Sequence, residues 1–350
     1  MSEEAKRQKF EDKGEEIIRQ EETEDDLIMN LSLRPQMLSD FVGQNSVVDS
    51  LLIAIEASRK RDEPMEHLLL SGPPGLGKTS LARIIANERG SKITATSGPA
   101  IDRAGDLIGI MTNLAEGDVL FIDEIHRLSK VVEEFIYPAM ENSQIDFLVD
   151  KGPYAKTVKF NLKRFTLIGA TTRSGLLSAP LRDRFGISYH LDFYSSEDLV
   201  QIIKRSAGLL GIHVDEEGAF EIAIRSRGTP RIANRLLRRV RDWVEVKADG
   251  KITAEAAVNA LAIHGIDEKG LNRIDRKLLD VMYSSYKGGP VGIEALASSL
   301  NEESDTIEDV VEPYLLKMGF LRRTPRGREL TEEAVKYIGK ISGQKKDLFS

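Results

Sequence analysis

Gly72-Pro73-Pro74-Gly75-Leu76-Gly77-Lys78-Thr79 is the stretch that decides the fold. It fits the pattern G-x-x-x-x-G-K-[ST]. An apolar run, HLLLS at 67–71, precedes it, and a helix-forming run, SLARIIAN at 80–87, follows. Strand, glycine-rich loop and helix in that order make a phosphate-binding unit. Gly72, Gly75 and Gly77 let backbone N–H groups turn inward around phosphate oxygens. The helix start adds partial positive charge at the same point. Lys78 is placed to reach the β- and γ-phosphates, and the Thr79 hydroxyl to ligate Mg²⁺.

Working outward, Val119-Leu120-Phe121-Ile122-Asp123-Glu124 is an apolar strand that ends in two acids. Ionised acids avoid an apolar core unless paired or metal-bound, whereas the C-terminal end of a parallel strand faces the ligand crevice. Asp123 is the candidate Mg²⁺ holder and Glu124 the candidate for activating water. A third apolar strand, FTLIGATT at 165–172, ends in Thr171 and Thr172, which either cap the strand or sense the γ-phosphate. Leu181-Arg182-Asp183-Arg184-Phe185 follows Pro180. Its arginines suit an internal salt bridge or a finger offered to a neighbouring subunit. Arg231 opens a helix after Gly228-Thr229-Pro230. A cation there opposes the helix dipole and calls for an anion, for which a nucleotide phosphate is the natural choice. Further along that helix, Arg235, Arg238, Arg239 and Arg241 read as a solvated, salt-bridged face.

The 350 residues suffice for two or three domains with a substantial core. The absence of cysteine excludes disulfides and thiolate-bound zinc and favours an intracellular setting. No apolar run is long enough to span a membrane, so a soluble, cytoplasmic protein is expected. The net charge of −7 is concentrated in the first 30 residues, which hold 11 acids and 5 bases. An acidic tail is expected over 1–24.

Strands at 67–71, 93–96, 118–122, 165–170 and 187–191, alternating with helices, predict an α/β domain with a mostly parallel sheet over 25–192. Helices at 195–210, 216–226, 230–247 and 253–261 predict a helical domain over 193–265, and 265–270 reads as a linker. In the remainder, 266–350, helices at 275–286, 292–299 and 305–318 precede two short strands joined by Thr324-Pro325-Arg326-Gly327. That is the pattern of a winged helix. Lys317, Arg322, Arg323, Arg326 and Arg328 bracket the turn with no acid among them, which suits contact with DNA phosphates.

With these residues assembled, the chain resembles the AAA+ ATPases, and within them the RuvB family of Holliday-junction branch-migration motors. The likeness runs through Leu33-Arg34-Pro35, Phe41-Val42-Gly43-Gln44, the phosphate loop, Asp123-Glu124-Ile125-His126 and Gly288-Gly289-Pro290-Val291-Gly292. RGTPRIANRLLRRVRD (227–242) and GFLRRTPRGR (319–328) are its most specific parts. The resemblance implies an AAA+ P-loop core, a helical lid and a winged-helix head. It implies an ATP- and Mg²⁺-dependent hydrolase that drives branch migration in DNA recombination and repair.

It implies that Leu33, Arg34 and Tyr194 contact the adenine end, and that Gly75, Lys78, Thr79 and Ser80 hold phosphates. It makes Thr172 the first sensor and Arg231 the second, and Arg184, or else Arg182, the finger. Arg323 and Arg328 would touch DNA. The implied partners are double-stranded DNA at Holliday junctions, RuvA through a hairpin at 145–160, RuvC in the same complex, and other copies in a homohexameric ring. The hairpin's other reading is an extension of the chain's own sheet. Two other functions share these parts: a clamp-loader-like AAA+ adaptor, and a winged-helix transcription regulator controlled by an AAA+ domain.

Overall fold

The structure is a computed structural model and describes residues 32–148 and 157–347. The acidic tail at 1–24 and the tip of the 145–160 hairpin lie outside the described residues. The chain divides into two compact bodies. One is Arg34–Phe193; the other holds Leu33 and the chain from Tyr194 onward.

The first body is built on a five-stranded sheet of β1 (Leu68–Ser71), β2 (Ile93–Ser97), β3 (Val119–Asp123), β6 (Thr166–Thr171) and β7 (Ile187–His190), in the order β2-β3-β6-β1-β7. Neighbouring strands are parallel throughout. β3 and β6 are covered on both faces, so they read as continuous apolar runs rather than alternating ones. Helices Asn45–Arg61, Lys78–Arg89, Ala104–Thr112 and Lys130–Asn142 connect or flank the strands. β4 (Gln144–Leu148) and β5 (Thr157–Asn161) pair antiparallel, with Ile145 opposite Phe160. They form a two-stranded sheet of their own and do not extend the five-stranded one.

In the second body, helices Ser196–Leu209, Glu216–Arg225, Pro230–Lys247 and Ala254–Ile263 start at Ser195, Asp215, Thr229 and Thr253. Each of these side chains accepts a hydrogen bond from a first-turn N–H. β8 (His213–Val214) and β9 (Lys251–Ile252) tie two of the connecting loops together. Helix Pro230–Lys247 departs from the solvated face expected of it. Arg235 and Arg238 are buried, whereas Arg239 and Arg241 form surface pairs with Asp242 and Glu245.

The winged-helix region has helices Arg273–Ser284 and Ile293–Leu300, then a hairpin of β10 (Leu321–Thr324) and β11 (Gly327–Leu330). A bridge between Val291 and Arg328 adds to the hairpin, and helix Glu332–Asp347 follows. The helix expected at 305–318 is interrupted: Ser304–Thr306 leads into a π turn at Ile307–Val311 and then into Glu312–Lys317. Pro313 cannot donate to the carbonyl four residues back, and the ladder widens immediately before it. Among the described residues no helix is long and apolar enough to cross a membrane.

Candidate nucleotide site

β1 delivers the chain into the glycine loop, and Lys78–Arg89 leaves it with Gly77 at the N-cap. Gly72, Gly75 and Gly77 have φ values of 130°, 79° and 103°, which glycine adopts without strain. At Gly72 the space is also closed, because a Cβ would stand 2.3 Å from the Leu191 carbonyl oxygen. The buried Lys78 curls over its own loop, and its Nζ donates to the carbonyls of Gly72 (2.7 Å) and Pro73 (2.9 Å). This places an ammonium beside a glycine loop and a helix start, a combination suited to phosphate oxygens. The loop therefore fits a nucleotide.

Register sets the rest of the site. β3 lies two places from β1, and both strands end at the same edge of the sheet. The Thr79 hydroxyl and the Asp123 carboxylate face each other at 3.5 Å. Both are oxygen donors of the kind Mg²⁺ prefers. Glu124 turns off the strand at φ 47°. Its N–H donates to the Asp123 carboxylate (2.9 Å), and its own carboxylate pairs with Arg127 at 3.1 Å. At the end of β6 the two threonines separate. Thr171 is buried, lies 3.0 Å from His126 Nδ1 and accepts from the Arg173 N–H, whereas Thr172 is partly exposed just beyond the strand. Ser80 lies in the first turn of the helix that Lys78 begins.

Arg184 is docked. It donates to the Pro180 carbonyl (2.6 Å), pairs with Glu141 (2.8 Å) and stacks over the Tyr137 ring at 4.4 Å. Arg182 is exposed. Arg34 belongs to the same body as the phosphate loop. Leu33, Tyr194 and Arg231 belong to the other, where the Leu33 carbonyl accepts from Arg205 (2.9 Å) and the Tyr194 N–H donates to Gly228 (2.9 Å). Tyr194 therefore lies beside the turn that leads into the helix start carrying Arg231.

The wing arginines Arg322, Arg323 and Arg328 pair with acids of the same domain. Arg323 and Arg328 both reach the buried Glu312, at 2.8 and 3.1 Å, and Arg328 also pairs with Glu308 at 2.7 Å. The Arg328 side chain is only 14% exposed, so its first role is to anchor the wing. Burial raises the Glu312 pKa, but hydrogen bonds from Arg323 and Arg328 outweigh this and hold it below the ordinary glutamate value. Arg322 pairs with Glu329 at 2.7 Å, and Arg326 is exposed at the turn.

Family models match nearly the whole described chain. Residues 33–191 match the Holliday junction DNA helicase RuvB P-loop domain, 194–267 the RuvB AAA lid domain and 268–339 the RuvB C-terminal winged helix domain. The chain belongs to the RuvB family. The Holliday junction branch migration complex subunit RuvB of Desulfosudis oleivorans is 56% identical over 320 residues, covering 91% of this chain and 92% of that one. The RuvB Holliday junction branch migration motor of Thermotoga maritima superposes with a TM-score of 0.81 at 50% identity, covering 88% of this chain and 98% of that one. A substituted form of the same Thermotoga protein gives 0.82.

Membership makes the first body an AAA+ P-loop ATPase core and the second a lid with a winged helix. Several residues of this RuvB-family site escape sequence reading: Tyr137 and Glu141 beneath Arg184, Arg127 beside Glu124, and His126 beside Thr171. His126 and Arg127 follow Asp123-Glu124 after the single residue Ile125, and that nearness is the signal available for them.

Proposed function

We propose that the chain is an ATP-driven DNA motor that moves Holliday junctions by branch migration in recombination and repair. The observation that carries this is the run of RuvB-family domains, core, lid and winged helix, around an intact loop–acid arrangement. Neither the adaptor nor the transcription-regulator reading has comparable support.

In this reading Lys78, with Gly72, Gly75, Gly77 and Ser80, binds the phosphates of ATP. Mg²⁺ held by Thr79 and Asp123 supplies charge neutralisation on those phosphates. Glu124 takes the proton of the attacking water, and Thr172 senses the γ-phosphate. Leu33, Arg34 and Tyr194 contact the adenine end, and Arg231 contacts phosphate. Arg184 completes the site of a neighbouring copy in a homohexameric ring, with Arg182 the alternative.

The assigned units are the core at 25–192, the lid at 193–265 and the DNA-binding head at 266–350. RuvA docks on the 145–160 hairpin and RuvC joins the same cytoplasmic complex. Purified chain, with and without RuvA, should convert a synthetic mobile four-way junction in an ATP-dependent manner. ATP hydrolysis without conversion in the presence of RuvA would remove the motor reading.

A further inference from the structure

The segment 265–270 reads in the sequence as a linker, but in the folded chain it is a packed joint. Ile266 and Leu271 are buried. Asp267 accepts from the N–H groups of Lys269 (2.9 Å) and Leu271 (2.8 Å) and from the Tyr337 hydroxyl. The Lys269 carbonyl accepts from Tyr314 at 2.6 Å. Arg276 donates to the carbonyls of Gly265 (2.9 Å) and Leu271 (2.8 Å). Gly270 lies so close to the end of helix Glu216–Arg225 that a Cβ would stand 2.7 Å from the Arg225 carbonyl oxygen.

Arg227 sits at the centre of this joint. Its guanidinium donates to both carboxylate oxygens of Asp275 (3.2 and 3.3 Å) and to the Val310 carbonyl (3.1 Å), and it stacks over Tyr314 at 4.6 Å. Arg227 is 2% exposed and Asp275 0%. Asp275 also accepts from the Asn272 N–H, which closes the capping box of helix Arg273–Ser284.

Two features of Arg227 are unfavourable for stability alone. Its φ is 56°, a left-handed conformation uncommon outside glycine, asparagine and aspartate. A buried ion pair is often matched or surpassed by apolar residues of similar volume. A two-pronged guanidinium–carboxylate contact, however, fixes direction as well as distance, which apolar packing does not.

The contacts continue to the wing. Val310 lies in the π turn Ile307–Val311, beside Glu308 and Glu312. Those two acids hold Arg328 and Arg323 of the hairpin. On the other side, Arg227 immediately precedes Gly228-Thr229-Pro230-Arg231, where helix Pro230–Lys247 begins.

We propose that Arg227 and Asp275 form the force-bearing joint that makes the lid and the winged helix turn as one body. Displacement of the 228–231 helix start is thereby delivered through Val310 and Glu312 to the hairpin. The proposal rests on the motor reading above. Arg227 is a positioning residue for strand movement and is dispensable for ATP hydrolysis. Because contiguity alone does not establish coupling, the test has to measure coupling itself.

The full chain with RuvA is assayed for ATPase rate and for junction conversion per ATP, and hydrogen exchange is followed at 266–272 and 307–311. Wild type is compared with Arg227→Met, Asp275→Leu and the double variant. Arg227→Met should keep its ATPase within about twofold while conversion per ATP falls about tenfold or more, because the fork that fixes direction is gone. Exchange in both segments should rise. The double variant should regain thermal stability through apolar packing but not coupling. If Arg227→Met does not fold, Arg227→Lys keeps the charge, loses the fork and carries the same expectation. Unchanged conversion per ATP in a folded variant overturns the proposal, as does unchanged exchange. If wild type moves no junctions the motor reading fails, and hydrogen exchange then decides the joint by itself.

Discussion

The Arg184 guanidinium lies 4.4 Å above the ring centroid of Tyr137. That ring is itself fixed, because the Tyr137 hydroxyl donates to Glu133 (3.0 Å) and lies 3.1 Å from the Ser178 hydroxyl, which donates to the same carboxylate. Glu133 is buried, so the platform beneath Arg184 is rigid. If Arg184 acts on a neighbour's nucleotide, Arg184→Ala should lower hydrolysis by about 10³–10⁵-fold, the range for arginine fingers in other NTPases. Mixing Arg184→Ala with Lys78→Ala subunits should restore some activity. Tyr137→Leu should reproduce part of the loss, and Tyr137→Phe, which keeps the ring, much less of it. Mixed assemblies that form but stay inactive would argue against action in trans.

Lys78 and Glu124 separate binding from turnover. Lys78 is buried against its own loop, whereas Glu124 sits partly exposed beyond the strand end. Lys78→Ala should abolish tight nucleotide binding. Glu124→Gln should bind ATP normally, by fluorescent-nucleotide titration, and lose turnover by about 10²-fold or more, the usual contribution of a general base. Near-normal ATPase in Glu124→Gln would remove that assignment.

The wing calls for different substitutions than its sequence suggested. Arg328 is committed to Glu308 and Glu312, so Arg328→Ala should act first on stability, by about 2–3 kcal/mol for lost charge-assisted hydrogen bonds to a buried acid. Arg326 is exposed at the turn. Arg326→Ala should weaken DNA binding evenly across sequences and lower the salt slope by about one, with an unchanged melting midpoint. Calorimetry and salt-titrated anisotropy distinguish the two. An Arg328→Ala variant that melts like wild type but loses DNA affinity would return Arg328 to the contact surface.

The same anchor gives a pH signature. The folded-state pKa of Glu312 lies below the ordinary glutamate value of 4.5, despite its burial, because Arg323 and Arg328 stabilise the carboxylate. A depressed folded value means that its stabilisation is complete above the unfolded pKa and is lost as pH falls through the folded one. Thermal stability should therefore decline on acidification below about 4.5, through the window where carboxylates titrate. Glu312→Gln should be less stable at neutral pH and should show a shallower acid decline. A variant with the wild-type acid slope would show that other carboxylates set it.

Much of this was legible in the sequence because its physics is local. The glycine loop, the apolar β3 run ending in Asp123-Glu124 and a return strand, expected at 328–331 and found at Gly327–Leu330, each follow from residue type and spacing alone. What stayed hidden depends on partners distant in sequence. A helix with four arginines reads as solvated, yet Arg235 and Arg238 are buried, as long side chains can be when their aliphatic stems pack. The acid-free window at 317–328 concealed Glu312, which lies five residues before it and pairs back to the hairpin from the preceding helix. The linker at 265–270 looked slack because nothing local announces that Gly270 meets Arg225, or that Tyr337 reaches Asp267. The π turn was readable in principle from Pro313.

In the motor reading, ATP hydrolysis at the Lys78–Glu124 site moves DNA. Its most direct test is a mobile four-way junction carrying a fluorophore and quencher on opposing arms, mixed with the purified chain and RuvA, with arm exchange and phosphate release recorded together. Arm exchange should start with ATP, be absent with a non-hydrolysable analogue and with Glu124→Gln, and scale with the phosphate released. Phosphate release that continues while the arms stay unexchanged would contradict that reading.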